Sequence, residues 1–500
     1  MANMPLVSVI LGEVIFLGLL WAAWISRKEE EPQASVRLGL VSLAVLALFL
    51  APTFLPPELG PWLGFFLVVS VLAVGLVFIL PIRGERLVVL GEPVRGVDER
   101  DIMFSRATLV PGTARFEDYY RSRPHVKALD DEFRAVPGLL SPGSAHFHRE
   151  GFAAADAAFW TIELLRPFVE GGGSGWKEGG SPEPDEIGCS PADPPPTKLG
   201  GELGGDPGLL ERGPRDPAEM SRFLKEWTLK MGAHSVGITQ LQEHHLYTHV
   251  GRGPDYGKPV ESDHGFALAL TVEMDKEMVD RAPRSPTAME SALQYLQGGV
   301  MAVQVADLIR RLGYRARAHV DGNYRVICPL VAKDAGLGEF GRMGLLMTPR
   351  LGPRVRIAVV TTDLPLAVDQ ASPDPTVADF CVSCKKCADC CPSRAISFED
   401  AEEDGNGVLR WTIDHEACFT LWGRLGTDCA RCMAVCPYSH PDNALHSVVR
   451  WGIRENALFR RAVLSMDHLL YGRRPSPKAD LEWMRFTESG ATVERKESGE

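Results

Sequence analysis

Residues 381–392 read Cys-Val-Ser-Cys-Lys-Lys-Cys-Ala-Asp-Cys-Cys-Pro. As a ligand spacing this is C-x2-C-x2-C-x3-C-P, with Cys391 as the fourth position and Cys390 as the alternative to it. Two-residue spacings let one loop place three sulfurs around a single metal centre, and the Cys-Pro pair turns the chain away from that centre. A structural zinc site instead combines two separate C-x2-C pairs. The segment therefore predicts iron–sulfur ligation.

A second cysteine block, Cys418-x10-Cys429-x2-Cys432-x3-Cys436-Pro, follows the first. Together the two blocks match the bacterial ferredoxin pattern, in which the last cysteine of a run ligates the other cluster. The pattern predicts two 4Fe–4S clusters with crossed ligands. We expect one cluster on Cys381, Cys384, Cys387 and Cys436, and the other on Cys391, Cys418, Cys429 and Cys432.

The chain has 11 cysteines, so three lie outside the two predicted ligand sets. Cys189 is interpreted as a lone thiol, Cys328 as a buried core thiol and Cys390 as a bystander. An odd count in a long chain fits metal ligation better than a secreted disulfide framework.

Three apolar runs open the chain, at residues 6–25, 38–55 and 62–82. Each is about long enough to cross a hydrocarbon core of ~30 Å, and none has a polar face, which favours membrane spans over buried helices. The cations at this end of the chain are Arg27, Lys28 and Arg37 around the first loop, and Arg83 and Arg86 after the third run. By the positive-inside rule, the sequence predicts a multi-pass inner-membrane anchor with the soluble portion in the cytoplasm.

The chain divides into four predicted parts: an anchor at 1–85, a catalytic domain at 86–370, a ferredoxin-like domain at 371–446 and an extension at 447–500. Within the second part, residues 171–217 are rich in Gly and Pro and read as a surface excursion. Helical patterns at 218–231 and 291–312 alternate with strand patterns at 235–239, 266–272 and 355–361. This alternation predicts a mixed helix and sheet domain.

The charge balance bears on possible partners. The 53 Lys and Arg residues against 65 Asp and Glu residues give a net charge of −12, which argues against a broad nucleic-acid surface. One basic stretch remains near the C-terminus, with Arg450, Arg454, Arg460, Arg461, Arg473 and Arg474. It could bind a nucleic acid, face lipid headgroups or form an ordinary solvated surface.

Residues 334–349 read Asp-Ala-Gly-Leu-Gly-Glu-Phe-Gly-Arg-Met-Gly-Leu-Leu-Met-Thr-Pro. With Gly-Pro-Arg-Val-Arg at 352–356, Thr-Thr-Asp-Leu-Pro-Leu at 361–366 and both cysteine blocks, this segment resembles the corrinoid-dependent reductive dehalogenases. The match extends weakly back to about residue 104, so it covers most of the soluble chain. The Gly-Leu-Gly-Glu piece is shared with epoxyqueuosine reductase, a related corrinoid enzyme acting on tRNA.

The resemblance implies an α+β fold, in which a nitroreductase-like α/β domain binds the corrinoid beside the two-cluster domain. It implies a cobalamin-type corrinoid bound base-off, which receives electrons from the nearer cluster and, as cobalt(I), attacks an organohalide. The glycine-rich segment is expected to line the corrinoid through Gly336, Gly338, Glu339 and Arg342.

The family's proton donor is a tyrosine supported by a basic residue and, in some members, an asparagine. Tyr295, Arg356 and Asn323 match these by position, with Asp321 or His319 as alternatives to Asn323. A cation beside a phenol favours the phenolate, so we expect a Tyr295 pKa below its ordinary value of ~10.

The predicted partners are a small organohalide, membrane lipid and an electron donor that is a ferredoxin, a flavoprotein or a membrane quinol chain. Two other functions stay open at this point. One is an epoxyqueuosine-reductase-like enzyme on tRNA, and the other is a non-catalytic, membrane-tethered electron carrier.

Overall fold

A computed structural model of the chain describes residues 3–82, 96–170, 215–370, 374–403 and 409–484. Arg83, Arg86 and Cys189 lie outside these ranges, as does most of the Gly- and Pro-rich stretch at 171–217. What the sequence predicts for those residues stays a prediction.

Three long apolar helices form the N-terminal part: α1 (Met4–Lys28), α2 (Pro32–Phe54) and α3 (Gly60–Ile79). Their mean hydropathies of 2.3, 2.2 and 2.7 and their lengths are sufficient for a membrane crossing. Small residues let the helices approach closely, since a Cβ on Gly12 of α1 would lie 2.3 Å from the Phe49 Cβ of α2. The three predicted apolar helices are confirmed, and their insertion into a membrane stays a prediction.

A helical layer and a sheet make up the middle of the chain. The helical layer comprises α4 (Met103–Ala107), α5 (Ala114–Ser122), α6 (Pro124–Arg134) and α7 (Arg149–Glu163). The elements that follow are α8 (Pro217–Lys230), β1 (Ser235–Gln240), β2 (Phe266–Glu273), α9 (Lys276–Val279), α10 (Ser285–Arg311), β3 (Ala316–His319), α11 (Cys328–Asp334), β4 (Glu339–Phe340), β5 (Leu346–Met347) and β6 (Val355–Thr362).

The main sheet has the strand order β1-β2-β6-β3 and is antiparallel throughout. Helix α10 packs on one face, where a Cβ on Gly298 would lie 3.4 Å from Val272 and 3.5 Å from Ala358. Helix α11 covers the other face, with Val331 in an apolar cluster that includes Val359 of β6. An antiparallel sheet between helical layers confirms the α+β fold class.

Helix α10 begins earlier than the sequence pattern indicates. The pattern predicts a start at residue 291, whereas the helix starts at Ser285 with Pro286 in its first turn, a position where proline costs no hydrogen bond. It ends as predicted before Gly313, whose φ of 86° is favoured by glycine. Tyr295 therefore lies about three turns inside the helix rather than near its start.

The cysteine blocks lie among short helices and a small hairpin. These are α12 (Pro375–Cys384), α13 (Lys386–Cys390), β7 (Glu402–Glu403), β8 (Leu409–Arg410), α14 (His415–Leu425) and α15 (Arg431–Ala434). Two fully buried arginines connect this part to the sheet domain. Arg354 of the sheet domain donates to the Ser439 carbonyl at 2.9 Å, and Arg342 donates to the Cys381 carbonyl at 3.1 Å.

Two C-terminal helices, α16 (Ala444–Glu455) and α17 (Ala457–Tyr471), return to the three apolar helices. Asn456, which lies between them, donates to the carbonyls of Val77 and Leu80 at 2.7 Å each, at the end of α3. The anchor and the soluble part are therefore in direct contact.

Candidate active site and cluster sites

The cysteines predicted to hold the first cluster come together in the structure. Lys385, with a φ of 52°, turns the chain so that Cys384 and Cys387 approach each other. Burial raises the pKa of Cys436, and the nearby thiolates of the first block raise it further. Those neighbours are Cys381, Cys384 and Cys387. Four buried sulfurs that repel one another as thiolates form a donor set that a cationic metal cluster would stabilise.

The second predicted set also comes together. Burial raises the pKa of Cys432, and its charged neighbours are Cys429, Cys418 and Cys391 of the same set and Cys387 of the first set. The backbone N–H of Ala395 donates to Cys391 Sγ at 3.3 Å, the kind of hydrogen bond that tunes cluster sulfurs. The crossed grouping is thus the one that the structure brings together, and cluster ligation itself stays a prediction.

The two described cysteines outside the sets have other surroundings. Cys328 is buried in the apolar cluster beneath α11, where burial raises its thiol pKa. Cys390 is partly exposed, and its Sγ donates to the Arg473 carbonyl at 3.5 Å.

Tyr295 and Arg356 meet beside the second cysteine set. The Arg356 guanidinium carbon lies 4.7 Å from the centre of the Tyr295 ring. Arg356 also donates to Ser291 Oγ at 2.6 Å and to Asp428 Oδ2 at 2.9 Å. Ser291 and Tyr295 share a face of α10 because they are four residues apart. Asp428 directly precedes Cys429, so this site adjoins the second cysteine set.

The pKa of Tyr295 corrects the expectation from sequence. Burial raises the pKa, and the Arg356 cation lowers it by less, so the net shift is upward. Removal of water destabilises the phenolate by more free energy than one neighbouring cation stabilises it. Tyr295 is therefore a protonated phenol throughout the neutral range.

Asn323, the third predicted catalytic residue, has another partner. Its Oδ1 accepts a hydrogen bond from Arg317 Nη2 at 2.8 Å. Its neighbour Tyr324 is partly buried and interacts electrostatically with both Asp321 and Tyr295. Asp321, one of the sequence alternatives to Asn323, thus interacts electrostatically with Tyr295. Tyr324 was not predicted from the sequence, because the family pattern matched Asn323 and not Tyr324.

The glycine-rich segment is packed tightly between the sheet domain and the first cysteine set. A Cβ on Gly338 would lie 2.3 Å from the Met347 carbonyl oxygen, and one on Gly341 would lie 3.7 Å from Cys381 Sγ. Gly336 ends α11 with a φ of 77°. The glycines are thus required by close backbone approach, and the predicted corrinoid contacts of Gly336 and Gly338 stay predictions.

Glu339 and Arg342, the charged members of this segment, already have protein partners. Glu339 Oε1 accepts from the Asp374 backbone N–H at 3.3 Å. Arg342 Nη1 donates to the Ser397 and Glu399 carbonyls at 2.8 and 2.7 Å, within the ferredoxin-like part. Arg342 Nη2 is buried without a partner in the described part of the chain. Whether either residue contacts a corrinoid stays a prediction.

A cavity of about 700 Å³ lies beside β3 and β6. Lys258, Arg315 and Arg325 line it together with acidic and apolar side chains. Such a lining suits the amide and phosphate groups at the periphery of a corrinoid.

One histidine of this cavity has both ring nitrogens in hydrogen bonds. The Arg325 backbone N–H donates to His319 Nδ1 at 3.1 Å, and His319 Nε2 therefore donates to Thr361 Oγ1 at 3.0 Å. His319 thus offers no free lone pair to a metal.

Two histidine clusters elsewhere have the composition of metal sites but not the geometry. At the first, Gln242 donates its backbone N–H to His245 Nδ1, so His245 Nε2 carries a proton and donates to Asp334 at 2.8 Å. At the second, the His440 and His446 rings are stacked within 8° of parallel at 4.5 Å. One ion cannot lie in both of these ring planes.

Comparison with known proteins agrees with this arrangement. A family model described as a 4Fe–4S dicluster domain matches residues 380–440. The tetrachloroethene reductive dehalogenase of Sulfurospirillum multivorans is 30% identical over 304 residues, which cover 53% of this chain and 60% of that protein. A solved reductive dehalogenase, whose structure suggests a mechanism for B12-dependent dehalogenation, is 27% identical with a TM-score of 0.52. That match covers 69% of this chain and 46% of the solved one.

A more distant relative is the epoxyqueuosine reductase of Pseudomonas aeruginosa, 24% identical over 261 residues, which cover 45% of this chain and 70% of that protein. The chain thus spans about half to two thirds of the length of the dehalogenases it matches. The chain is therefore similar to the reductive dehalogenases and, more distantly, to the epoxyqueuosine reductases.

Proposed function

We propose that this chain is a membrane-anchored oxidoreductase that replaces the halogen of an organohalide by hydrogen. The reaction takes up two electrons and one proton and releases one halide ion. The observation that carries the proposal is the meeting of a protonated, partly buried Tyr295 with Arg356 directly beside the second cysteine set. A proton donor thus lies where electrons carried by a pair of clusters would arrive.

Two kinds of cofactor are needed for this chemistry. The two cysteine sets would hold 4Fe–4S clusters that supply electrons singly. A corrinoid, when bound base-off in the cobalt(I) state, supplies the chemistry that breaks the carbon–halogen bond. The cavity beside β6 and the glycine-rich segment would bind it.

The chain's own residues control the proton. Tyr295 donates the phenol proton to the carbon that loses halide, and Arg356 stabilises the phenolate left behind. Ser291 and Asp428 fix the Arg356 side chain from two sides. Because the site is buried, bulk water does not compete for the phenolate.

The function is tested by anaerobic reconstitution with cobalamin, followed by assay of halide release from halogenated phenols and alkenes. Halide release that requires both iron and cobalt supports the proposal. Salt-sensitive tRNA binding without halide release would instead indicate an epoxyqueuosine-reductase-like enzyme. Iron without bound cobalt would indicate an electron carrier. Arginines of the C-terminal basic stretch pair within the protein, such as Arg450 with Asp442 and Arg460 with Asp379, which weakens the tRNA alternative.

Arg356→Gln is expected to lower kcat by about 10- to 100-fold, because the phenolate left on Tyr295 loses its neighbouring cation. The same change is expected to raise the Tyr295 pKa further, since it removes the main influence that lowers it. Arg356→Lys keeps a positive charge beside Asp428 and Tyr295. It should therefore retain more activity than Arg356→Gln. Equal losses in the two variants would contradict a role based on charge.

The pH profile gives a separate check. The proton donor is active when protonated, and burial raises its pKa above the ordinary value near 10. Loss of activity from Tyr295 should therefore occur only as the pH rises through that raised pKa. We expect kcat to stay level between about pH 7 and pH 9 for the intact protein. A fall centred near pH 8 would show that another group is the donor.

The anchor is proposed to span the inner membrane three times, with the catalytic part in the cytoplasm. Arg27, Lys28 and Arg37 at the inner end of the bundle support this orientation. The full-length protein should remain in the membrane pellet after an alkaline carbonate wash. A C-terminal green fluorescent protein fusion should fluoresce, whereas a C-terminal alkaline phosphatase fusion should be inactive. The opposite pattern would reverse the orientation.

The electron donor is proposed to be a ferredoxin, a flavoprotein or a membrane quinol chain. Glu31 of the first anchor loop and Cys436 of the first cysteine set line the same cleft. This supports the entry of electrons into that set from the membrane side.

A further inference from the structure

Helix α17 lies across the inner end of the anchor rather than along it. At its first end, Asn456 donates to the Val77 and Leu80 carbonyls at the end of α3. At its other end, the Leu470 carbonyl accepts from Arg37 of α2 at 3.2 Å. A helix of 15 residues is about 22 Å long, which suffices to cross a small helical bundle.

Helix α16 also connects two anchor helices. At its first turn, Leu445 packs with Ala22 and Leu38, and His446 Nε2 lies 3.1 Å from Glu29 after α1. At its other end α16 contacts α3. Phe459, which follows in α17, packs edge-on against Phe78 of α3 with ring centres 5.3 Å apart. Both helices therefore lie roughly in the plane where the proposed membrane would meet the cytoplasm.

The outer faces of these two helices carry large apolar side chains that no described residue covers. Val448 is 63% exposed, Trp451 51% and Leu469 60%, and Leu458 and Met466 are also exposed. Val448 and Trp451 are three residues apart and share one face of α16. Exposed apolar side chains beside a membrane bundle are stabilised when they are buried in an apolar environment. The boundary between the lipid headgroups and the acyl chains would provide that environment.

The charges at this level favour anionic lipid. Arg454 and Arg461 are exposed, and Arg454 Nε lies 3.8 Å from Asp374 Oδ2. The acidic residues of the first anchor loop are instead neutralised within the protein. Glu29 faces His446, Glu30 pairs with Arg281 at 2.7 Å and Glu31 pairs with Lys478 at 3.1 Å. Each exposed cation near an anionic bilayer adds attraction.

We propose that α16 and α17 form a second membrane-binding surface, which inserts Val448, Trp451 and Leu469 into the bilayer interface and directs Arg454 and Arg461 to anionic headgroups. The inference rests on the proposed insertion of α1–α3. Such a surface would restrain the tilt of the ferredoxin-like part relative to the bilayer.

The test uses the full-length protein in vesicles of phosphatidylcholine with a minority of phosphatidylglycerol. A photoreactive benzoylphenylalanine replaces Trp451 or Leu469, and Trp160 serves as the matched control. Trp160 is 63% exposed and lies on α7, which packs against α10. After irradiation, mass spectrometry of the peptides should show at least about tenfold more lipid adduct at 451 and 469 than at 160. Equal yields at the three positions would overturn the proposal.

A carbonate wash of the same vesicles separates the two levels of inference. Protein that washes out would refute the anchor itself. Protein that is retained but forms no lipid adducts at 451 and 469 would refute only the second surface. The iron–sulfur absorbance of each variant confirms that the substitution has not unfolded it.

The proposed binding of Arg454 and Arg461 to anionic headgroups is tested by the lipid composition of the adducts. Phosphatidylglycerol should exceed its share of the vesicle lipid in adducts at 451, and Arg454→Gln with Arg461→Gln should return it to that share. A proportional composition with the natural arginines would overturn the role given to them.

Discussion

Replacing Tyr295 by Phe is expected to lower halide release by about 10²- to 10⁴-fold while iron and cobalt remain bound. The change removes only the phenol hydroxyl. The remaining ring still packs near Phe159, with ring centres 6.3 Å apart in the intact protein, and still lies under Arg356. The fold and the cofactor sites should therefore persist, and kcat should fall far more than KM rises.

The matched control is Tyr256→Phe, which removes a hydroxyl from a half-buried tyrosine that stacks with Arg115 away from the site. It should leave turnover unchanged. Turnover at the natural rate in Tyr295→Phe would exclude this residue as the proton donor.

Cys436→Ser is expected to remove the cluster of the first cysteine block, although Cys436 belongs to the second block in sequence. The structure places Cys436 with Cys381, Cys384 and Cys387. Iron should fall from about eight to about four per chain, and electron transfer to the substrate should stop. Cys390→Ser, at the partly exposed bystander, should keep about eight irons and serves as the control.

A double variant distinguishes crossed from sequential ligation. With crossed ligands, Cys381→Ser and Cys436→Ser remove the same cluster, so the double variant loses no more iron than either single variant. With sequential ligands the two changes remove different clusters, and nearly all iron is lost. Iron analysis together with electron paramagnetic resonance of the reduced protein decides between these outcomes.

The sequence spacing suffices to predict which cysteines lie together, because the ligand motif constrains the distances between neighbouring cysteines. Whether they ligate clusters stays a prediction. The apolar helices are equally local, since hydropathy over 20 residues suffices to identify them. Arg356 was found through its resemblance to a family motif. Its partner Asp428 was missed, although its place directly before Cys429 was a usable signal.

Features that depend on tertiary structure were less predictable. The direction of the Tyr295 pKa shift depends on how deeply α10 is buried, which the sequence pattern does not reveal. The partner of Asn323 depends on Arg317 of a neighbouring strand. The return of α16 and α17 to the anchor is set by single polar residues such as Asn456, which look ordinary in sequence.

The buried arginines between the sheet domain and the cysteine blocks bear on how the protein unfolds. Arg354 reaches the Ser439 carbonyl and the Glu273 carboxylate, and Arg342 reaches three carbonyls across the boundary. Separating the two parts would break the hydrogen bonds that these fully buried guanidinium groups donate across the boundary, which is strongly unfavourable. The two parts should therefore melt in a single cooperative transition, and a ferredoxin-like fragment excised from this chain should not fold alone.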